Sequence, residues 1–249
     1  MLHTIELEGG ARALRSPALM RRGVPHAFTT RRGPSGASWD VGALDDGAHA
    51  LLAAASGSAL EQLSELRQVH GADVHWATKT PPAAPPAADA QLGTDARLGL
   101  LVRTADCVPL LLASEDGACV AAVHAGWRGQ VAGVIPRALA AMEERGTPAR
   151  VGAIGPCLSL ERFEVGEEVA QAFEAAGLGA CVTRALGPKP HVDLRAATLR
   201  QLEVGGLSEV DLCERCTWDD PELWSYRRDV THGERTHTGR LGALIAPTG

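Results

Sequence analysis

The 249-residue chain carries 24 Lys and Arg against 30 Asp and Glu, and its net charge of −6 argues against nucleic acid or an anionic membrane as main partner. Hydrophobic residues at 45% and charged residues at 22% describe ordinary globular material, long enough for a buried core and too apolar for disorder. One Tyr, three Phe and five Trp are too few for the successive stacking platforms that single-stranded nucleic acid requires.

The apolar runs VPLLLA and CVAAV are far too short to span a bilayer. The first twenty residues hold Glu6 and Glu8 and no apolar core, so no secretory leader is expected. Six cysteines without such a leader point to a reducing, cytoplasmic setting rather than a disulfide scaffold.

In chain order, residues up to about 44 mix short apolar pieces with glycine and charge, and VPHAFTTRRGPSG predicts a strand followed by an irregular loop. Residues 45–66, rich in Ala and Leu with acids interspersed, predict one or two helices. RQVHGADVHWAT alternates apolar and polar positions around a glycine, as a hairpin or bent strand does. The prolines of TPPAAPPAA, residues 80–88, forbid regular structure and predict an exposed loop. The motifs on either side of it point to one shared site, so a single domain over 1–249 is expected.

GLLVRTADCVPLLLAS predicts a strand, a turn at TADC and a second strand. ACVAAVHAGWRG predicts a strand ending at a glycine-rich corner, and VAGVIPRALAAMEERG a helix. VGAIGPCLS reads as a buried strand, while EVGEEVAQAFEAAG and HVDLRAATLRQLEVGG read as helices, the latter stopping at Gly205 and Gly206. LWSYRRDVTHGERTHTGRLGALIAP closes the chain as a polar loop and a final strand. Alternating strands and helices without an internal repeat predict a layered α/β or α+β domain.

Three residues carry most of the chemistry: His70 in RQVHGADV, Cys107 in RTADCVPLLL and His124 in VAAVHAGWRG. Their wide spacing suits no zinc finger, but it suits ligands assembled by a fold. Two imidazoles and a thiolate match a zinc site that keeps its fourth position for water or substrate. The same trio also matches a cysteine nucleophile with a histidine base, or a buried thiol beside two structural histidines. Asp106 stands beside Cys107, placed to orient a ligand histidine or accept a proton. Arg128 follows a corner with two glycines, Arg67 precedes His70 and Arg103 precedes Cys107, so an anion pocket is expected. Cys213 and Cys216 form a lone Cys-x-x-Cys that reads as ordinary thiols, Cys119 and Cys157 read as core, and His75 is open between a group that supports a ligand and a pocket wall.

RQVHGADV, TADCVPLLL, VAAVHAGWRG, IGPCLSLERFEVGEEV and CTW…WSYRRD…TGR follow one another as they do in the YfiH-like family, also called the laccase-domain or multicopper polyphenol oxidase family. The chain resembles that family from about His26 to its end. The resemblance implies a four-layer α/β/β/α sandwich with zinc on His70, Cys107 and His124 at a purine-nucleoside site. It implies phosphorolysis of adenosine, inosine, guanosine and methylthioadenosine, and deamination of adenosine. Purine nucleosides and phosphate are then the expected partners.

In such an enzyme Arg67, Arg103, Arg128, Arg227 and Arg228 would hold substrate and phosphate, and Asp106 would shuttle protons. The family also implies a rival, a cysteine hydrolase that edits a peptidoglycan precursor with Cys107 as nucleophile and His124 as base. A third reading, a zinc-stabilised interaction domain, lacks a fourth protein ligand. Copper is the alternative ion, but a multicopper oxidase needs roughly ten histidines, commonly in His-x-His pairs. This chain has nine histidines and no such pair. TTRRGPSGAS and THGERTHTGR depart from the family pattern, and His232 and His237 in the latter are expected to be exposed loop residues.

Overall fold

A computed structural model describes residues 1–249 except 43 and 81, so those two positions of the expected N-terminal and proline-rich loops lie outside the described residues. Strands β1 (His3–Glu6) and β2 (Arg12–Arg15) form an antiparallel pair. Helix α1 (Pro17–Arg21) begins where the Ser16 hydroxyl accepts the Leu19 N–H, with proline at its first position. Strand β3 (His26–Thr29) follows, and then helix α2 (Asp46–Ser56), capped by Asp45 and stopped by Gly57 at φ 81°.

That glycine corrects the expectation of helix across 45–66. Past it, β4 (Gln62–Ser64) is a strand, parallel to β7 (Leu98–Thr104). RQVHGADVHWAT is not a hairpin either: β5 (Val74–Trp76) pairs in parallel with β6 (Ala90–Gly93), across the proline-rich loop. The N-terminal segment holds β1, β2 and α1 in addition to the strand expected there, because its short apolar pieces find partners only in the sheet.

The expected strands β8 (Val108–Ser114), β9 (Val120–Ala125) and β10 (Ala149–Ile154) form. Helices α3 (Trp127–Val131) and α4 (Val134–Glu143) are separated by Gly133 at φ 83°. Helix α5 (Glu167–Ala175), the short strands β11 (Val182–Thr183) and β12 (His191–Val192), and helix α6 (Leu194–Val204) come next. Strands β13 (Glu209–Leu212) and β14 (Leu241–Ile245) end the chain.

One sheet runs β1-β2-β3-β14-β7-β4 and the other β13-β10-β8-β9-β6-β5. Period-two alternation sets the layers. In the second sheet, Leu110, Leu112, Ala121 and Val123 pack against Ile135, Ala138 and Met142 of α4 and Leu202 of α6. Leu111, Ala113, Val120 and Ala122 face the other way, onto Phe28, Leu100, Val102 and Ile245 of the first sheet. Beyond that sheet, Leu101 and Leu244 meet Leu52 and Ala55 of α2. The result is the expected α/β/β/α sandwich of mixed sheets. Among the described residues no helix is long and apolar enough to cross a membrane.

Strands β7 and β8 are consecutive but belong to different sheets, so the TADC turn crosses between the layers. Register then pairs Val108 with Ala125, which sets Cys107 beside the HAGWRG corner.

Candidate metal centre and its anion cavity

His70, Cys107 and His124 come together: their donor atoms all lie within 4.8 Å of one another. Gly126 makes room for them. A Cβ there would sit 3.0 Å from both Cys107 Sγ and His70 Cδ2, so alanine would crowd two of the three. His70 itself adopts φ 59° and Asp106 φ 95°, a strained conformation for side chains other than glycine.

What holds His70 in that conformation is Asp89, a fully buried carboxylate. It accepts the backbone N–H groups of Val69 at 3.1 Å, His70 at 2.9 Å and Gly71 at 2.7 Å. It also takes His124 Nδ1 at 2.7 Å. His124 therefore presents its other ring nitrogen to the trio, the arrangement by which a carboxylate orients a ligand histidine. Sequence adjacency gives this role to Asp106, and Asp89 is the correction. Asp106 instead accepts from Thr217 Oγ1 at 2.6 Å and Arg227 N at 2.7 Å. Burial pushes the Asp106 pKa up against those bonds.

Burial alone would push the Cys107 thiol up, but His124 and His70 outweigh it and pull the thiol down toward the thiolate. His124 mirrors it: burial opposes its charge, yet Cys107 and Asp89 push its pKa up. A thiolate and two imidazoles, one anchored by a carboxylate, fit a single zinc ion.

Above the trio opens a cavity of about 620 Å³. Its wall carries Arg103, Arg128, Arg227 and Arg240, and among the described residues the one carboxylate there is Asp106. Arg103 Nε donates to the Val41 carbonyl at 2.6 Å and its guanidinium pairs with Glu65. Arg227 Nη1 donates to the Glu164 carbonyl at 2.6 Å, and Arg240 Nη1 to the Thr238 carbonyl at 3.0 Å. Arg128 is exposed; its guanidinium lies 4.3 Å over the Trp127 ring. Among the described residues no hydrogen bond or salt bridge engages that guanidinium.

Two expected arginines stand outside. Leu66 and Gln68 line the cavity, and strand-like alternation turns the exposed Arg67 between them the other way. Arg228 is half-buried in a tight helical turn over 227–231, beside the buried Asp229, and does not line the cavity. It donates to the carbonyls of Thr217, Trp218, Asp220 and Leu223 and to Asp229, which makes it a clamp on the carboxy-terminal loop.

Sequence reasoning misses Asp89 and Arg240. Arg240 belongs to the quoted TGR motif, whereas nothing in the residues around Asp89 marks it. His232 and His237 are exposed as expected, His75 lies half-buried on β5 outside the cavity, and Cys213 and Cys216 are buried free thiols.

Residues 43–248 match the family described as multi-copper polyphenol oxidoreductase laccase. The chain is 38% identical over 250 residues to a Deinococcus radiodurans protein named purine nucleoside phosphorylase, covering 95% of this chain and 93% of that one. It is 36% identical to purine nucleoside phosphorylase YfiH of Escherichia coli over 72% of each chain. A crystal structure of a Neisseria meningitidis protein superposes with a TM-score of 0.77 at 28% identity, covering 100% of this chain and 99% of the other. The several coppers of the family's description find no counterpart here. Among the described residues, the trio is the one group of three or more potential ligands close enough to share an ion.

Proposed function

This chain belongs to the multi-copper polyphenol oxidoreductase laccase family, and from that premise we propose that it is a zinc-dependent purine nucleoside phosphorylase, not an oxidase. One observation carries the reading: a His-Cys-His trio on the floor of an arginine-lined cavity, in a chain of net charge −6. Relatives named purine nucleoside phosphorylase support the substrate class.

Bound by His70, Cys107 and His124, zinc would supply a fixed positive charge that favours negative charge developing on the substrate. The protein's own residues do the remainder. Arg128 takes phosphate oxygens with its uncommitted fork. Arg227 and Arg240 are already anchored to backbone carbonyls, so they add positive charge without being ordered anew, while Arg103, paired with Glu65, offers fixed N–H donors rather than net charge. A phosphate oxygen attacks C1′, the C1′–N9 bond breaks, and its electron pair leaves with the purine, which must gain a proton. Asp106, the carboxylate on the cavity wall, is the group that carries that proton. Deamination of adenosine in the same cavity, with water adding at C6 and ammonia leaving, is the companion activity.

The test combines metal analysis with product analysis of adenosine. Phosphorolysis yields adenine and ribose 1-phosphate only when phosphate is present; deamination yields inosine and ammonia without it. Zinc near one per chain should disappear in His70→Ala, Cys107→Ala and His124→Ala. Neither product from zinc-loaded protein would end the reading.

The lowered Cys107 thiol beside His124 favours a second reading, a cysteine hydrolase with Cys107 as nucleophile. Iodoacetamide separates the two, because a zinc-bound thiolate is protected until a chelator strips the ion. Rapid alkylation of untreated protein with matching loss of activity would select the hydrolase.

A further inference from the structure

We propose that Tyr226 is the stacking platform for the base at this site, a specificity-determining residue that selects substrates with an aromatic base; the inference rests on the nucleoside reading above. The rings around the cavity are His70, His124, Trp127, Phe163 and Tyr226. All but one are committed. His70 and His124 meet edge to face with centroids 4.8 Å apart. Arg128 covers Trp127 at 4.3 Å, and Arg227 covers the buried Phe163 at 5.1 Å. Of these five cavity rings, Tyr226 alone has neither a ring nor a cation against it among the described residues.

Tyr226 is also 49% exposed, on a wall of a cavity whose floor holds the metal trio. Its exposure does not come from a loose backbone. Ser225 beside it is fully buried, and the Arg228 N–H donates to Ser225 Oγ at 3.1 Å. On its other side the Arg227 N–H is fixed to Asp106, the neighbour of Cys107. Its backbone is therefore tied to the floor of the site while the ring face stays open. An aromatic with few rotatable bonds on a fixed backbone loses little freedom when it binds. What such a face takes is a flat π-system, and every purine offers one. The ribose and phosphate fall to the arginines, which cannot tell one base-bearing substrate from a plain sugar phosphate. Tyr226 supplies that distinction.

The chain has one tyrosine, so protein grown with ring-labelled tyrosine gives a single set of ring signals in NMR. Adding inosine without phosphate should shift those signals by ring current, and ribose 1-phosphate should leave them in place. Tyr226→Ala should raise the KM for inosine about tenfold and hold kcat within about twofold, since a stacking contact acts on binding. Tyr226→Phe should restore the KM. Unmoved tyrosine signals alongside normal phosphorolysis would overturn the platform and leave the nucleoside reading standing. A Phe variant as impaired as the Ala variant would overturn it too, by assigning the role to the phenol oxygen. No cleavage of any purine nucleoside and no shift would remove both proposals together.

Discussion

His124 on β9, in the cavity floor, and His26 on β3, in the other sheet, are both almost sealed from water, at 3% and 1% exposure. Their surroundings make them opposites. His124 faces the Asp89 carboxylate and the Cys107 sulfur, which together overcome burial and push its pKa up. Both His26 ring nitrogens bond to backbone, with only the weaker pull of Arg15 and Asp211 nearby: Nδ1 donates to the Val24 carbonyl at 2.8 Å and Nε2 accepts the Ser16 N–H at 2.7 Å. That pairing needs the neutral ring, and burial lowers the His26 pKa to about 4. Burial alone thus decides neither charge nor function. An ionised partner buried alongside does, and in this molecule such a partner marks the candidate site.

Removing that partner should have the largest effect. Asp89→Ala strips His124 of its anchor and leaves three part-buried N–H groups of the His70 loop without their carboxylate. We expect a stability loss of about 3–5 kcal/mol in urea unfolding. Zinc affinity, read by competition titration, should weaken roughly 10- to 100-fold. An Asp89→Ala protein with wild-type zinc affinity would show that the carboxylate orients nothing.

His26 supplies the next largest effect, with the opposite sign to an ion-paired histidine. Its pKa is depressed in the fold, so the unfolded chain takes up the proton first. Its contribution is complete above the unfolded value near 6.5 and is lost as pH falls toward about 4. The full difference is on the order of 3 kcal/mol. Carboxylates titrate in the lower part of that window, so the check is the His26 ring signal in NMR. A midpoint near 6.5 would contradict the neutral pairing.

The contrast between committed and uncommitted groups separates two arginines as well. Arg228→Ala removes hydrogen bonds to four carbonyls and to Asp229, and should cost about 2 kcal/mol of stability. Arg128→Ala should leave the melting temperature in place and raise the KM for phosphate about tenfold. A destabilised Arg128→Ala protein with unaltered phosphate kinetics would reverse the two assignments.

Much of the fold and part of the site are legible in the chain. VPLLLAS and CVAAVHA are short continuous apolar runs, and that is enough to read them as strands buried on both faces. The trio can be named because Cys107 and His124 sit at the ends of those strands beside small residues. Arg67 cannot be placed that way. Three residues from a ligand, it reads as a pocket residue, but its position between Leu66 and Gln68 turns it outward. Arg227 and Arg228 are neighbours in sequence, and only the turn over 227–231 sends one to the cavity and the other to backbone carbonyls.

Local patterning is thus sufficient for most strands and helices, the layered α/β class and the three candidate ligands, because apolar runs, glycine stops and thiol–imidazole chemistry are local properties; the four-layer sandwich is implied by the family resemblance. Long-range packing is what parts β7 and β8 into different sheets and makes β4 and β5 strands at all. It also brings Asp89, 35 residues from His124, onto that ring. A buried carboxylate is stable only beside the donors that satisfy it, and those donors arrive from segments whose approach no local pattern encodes.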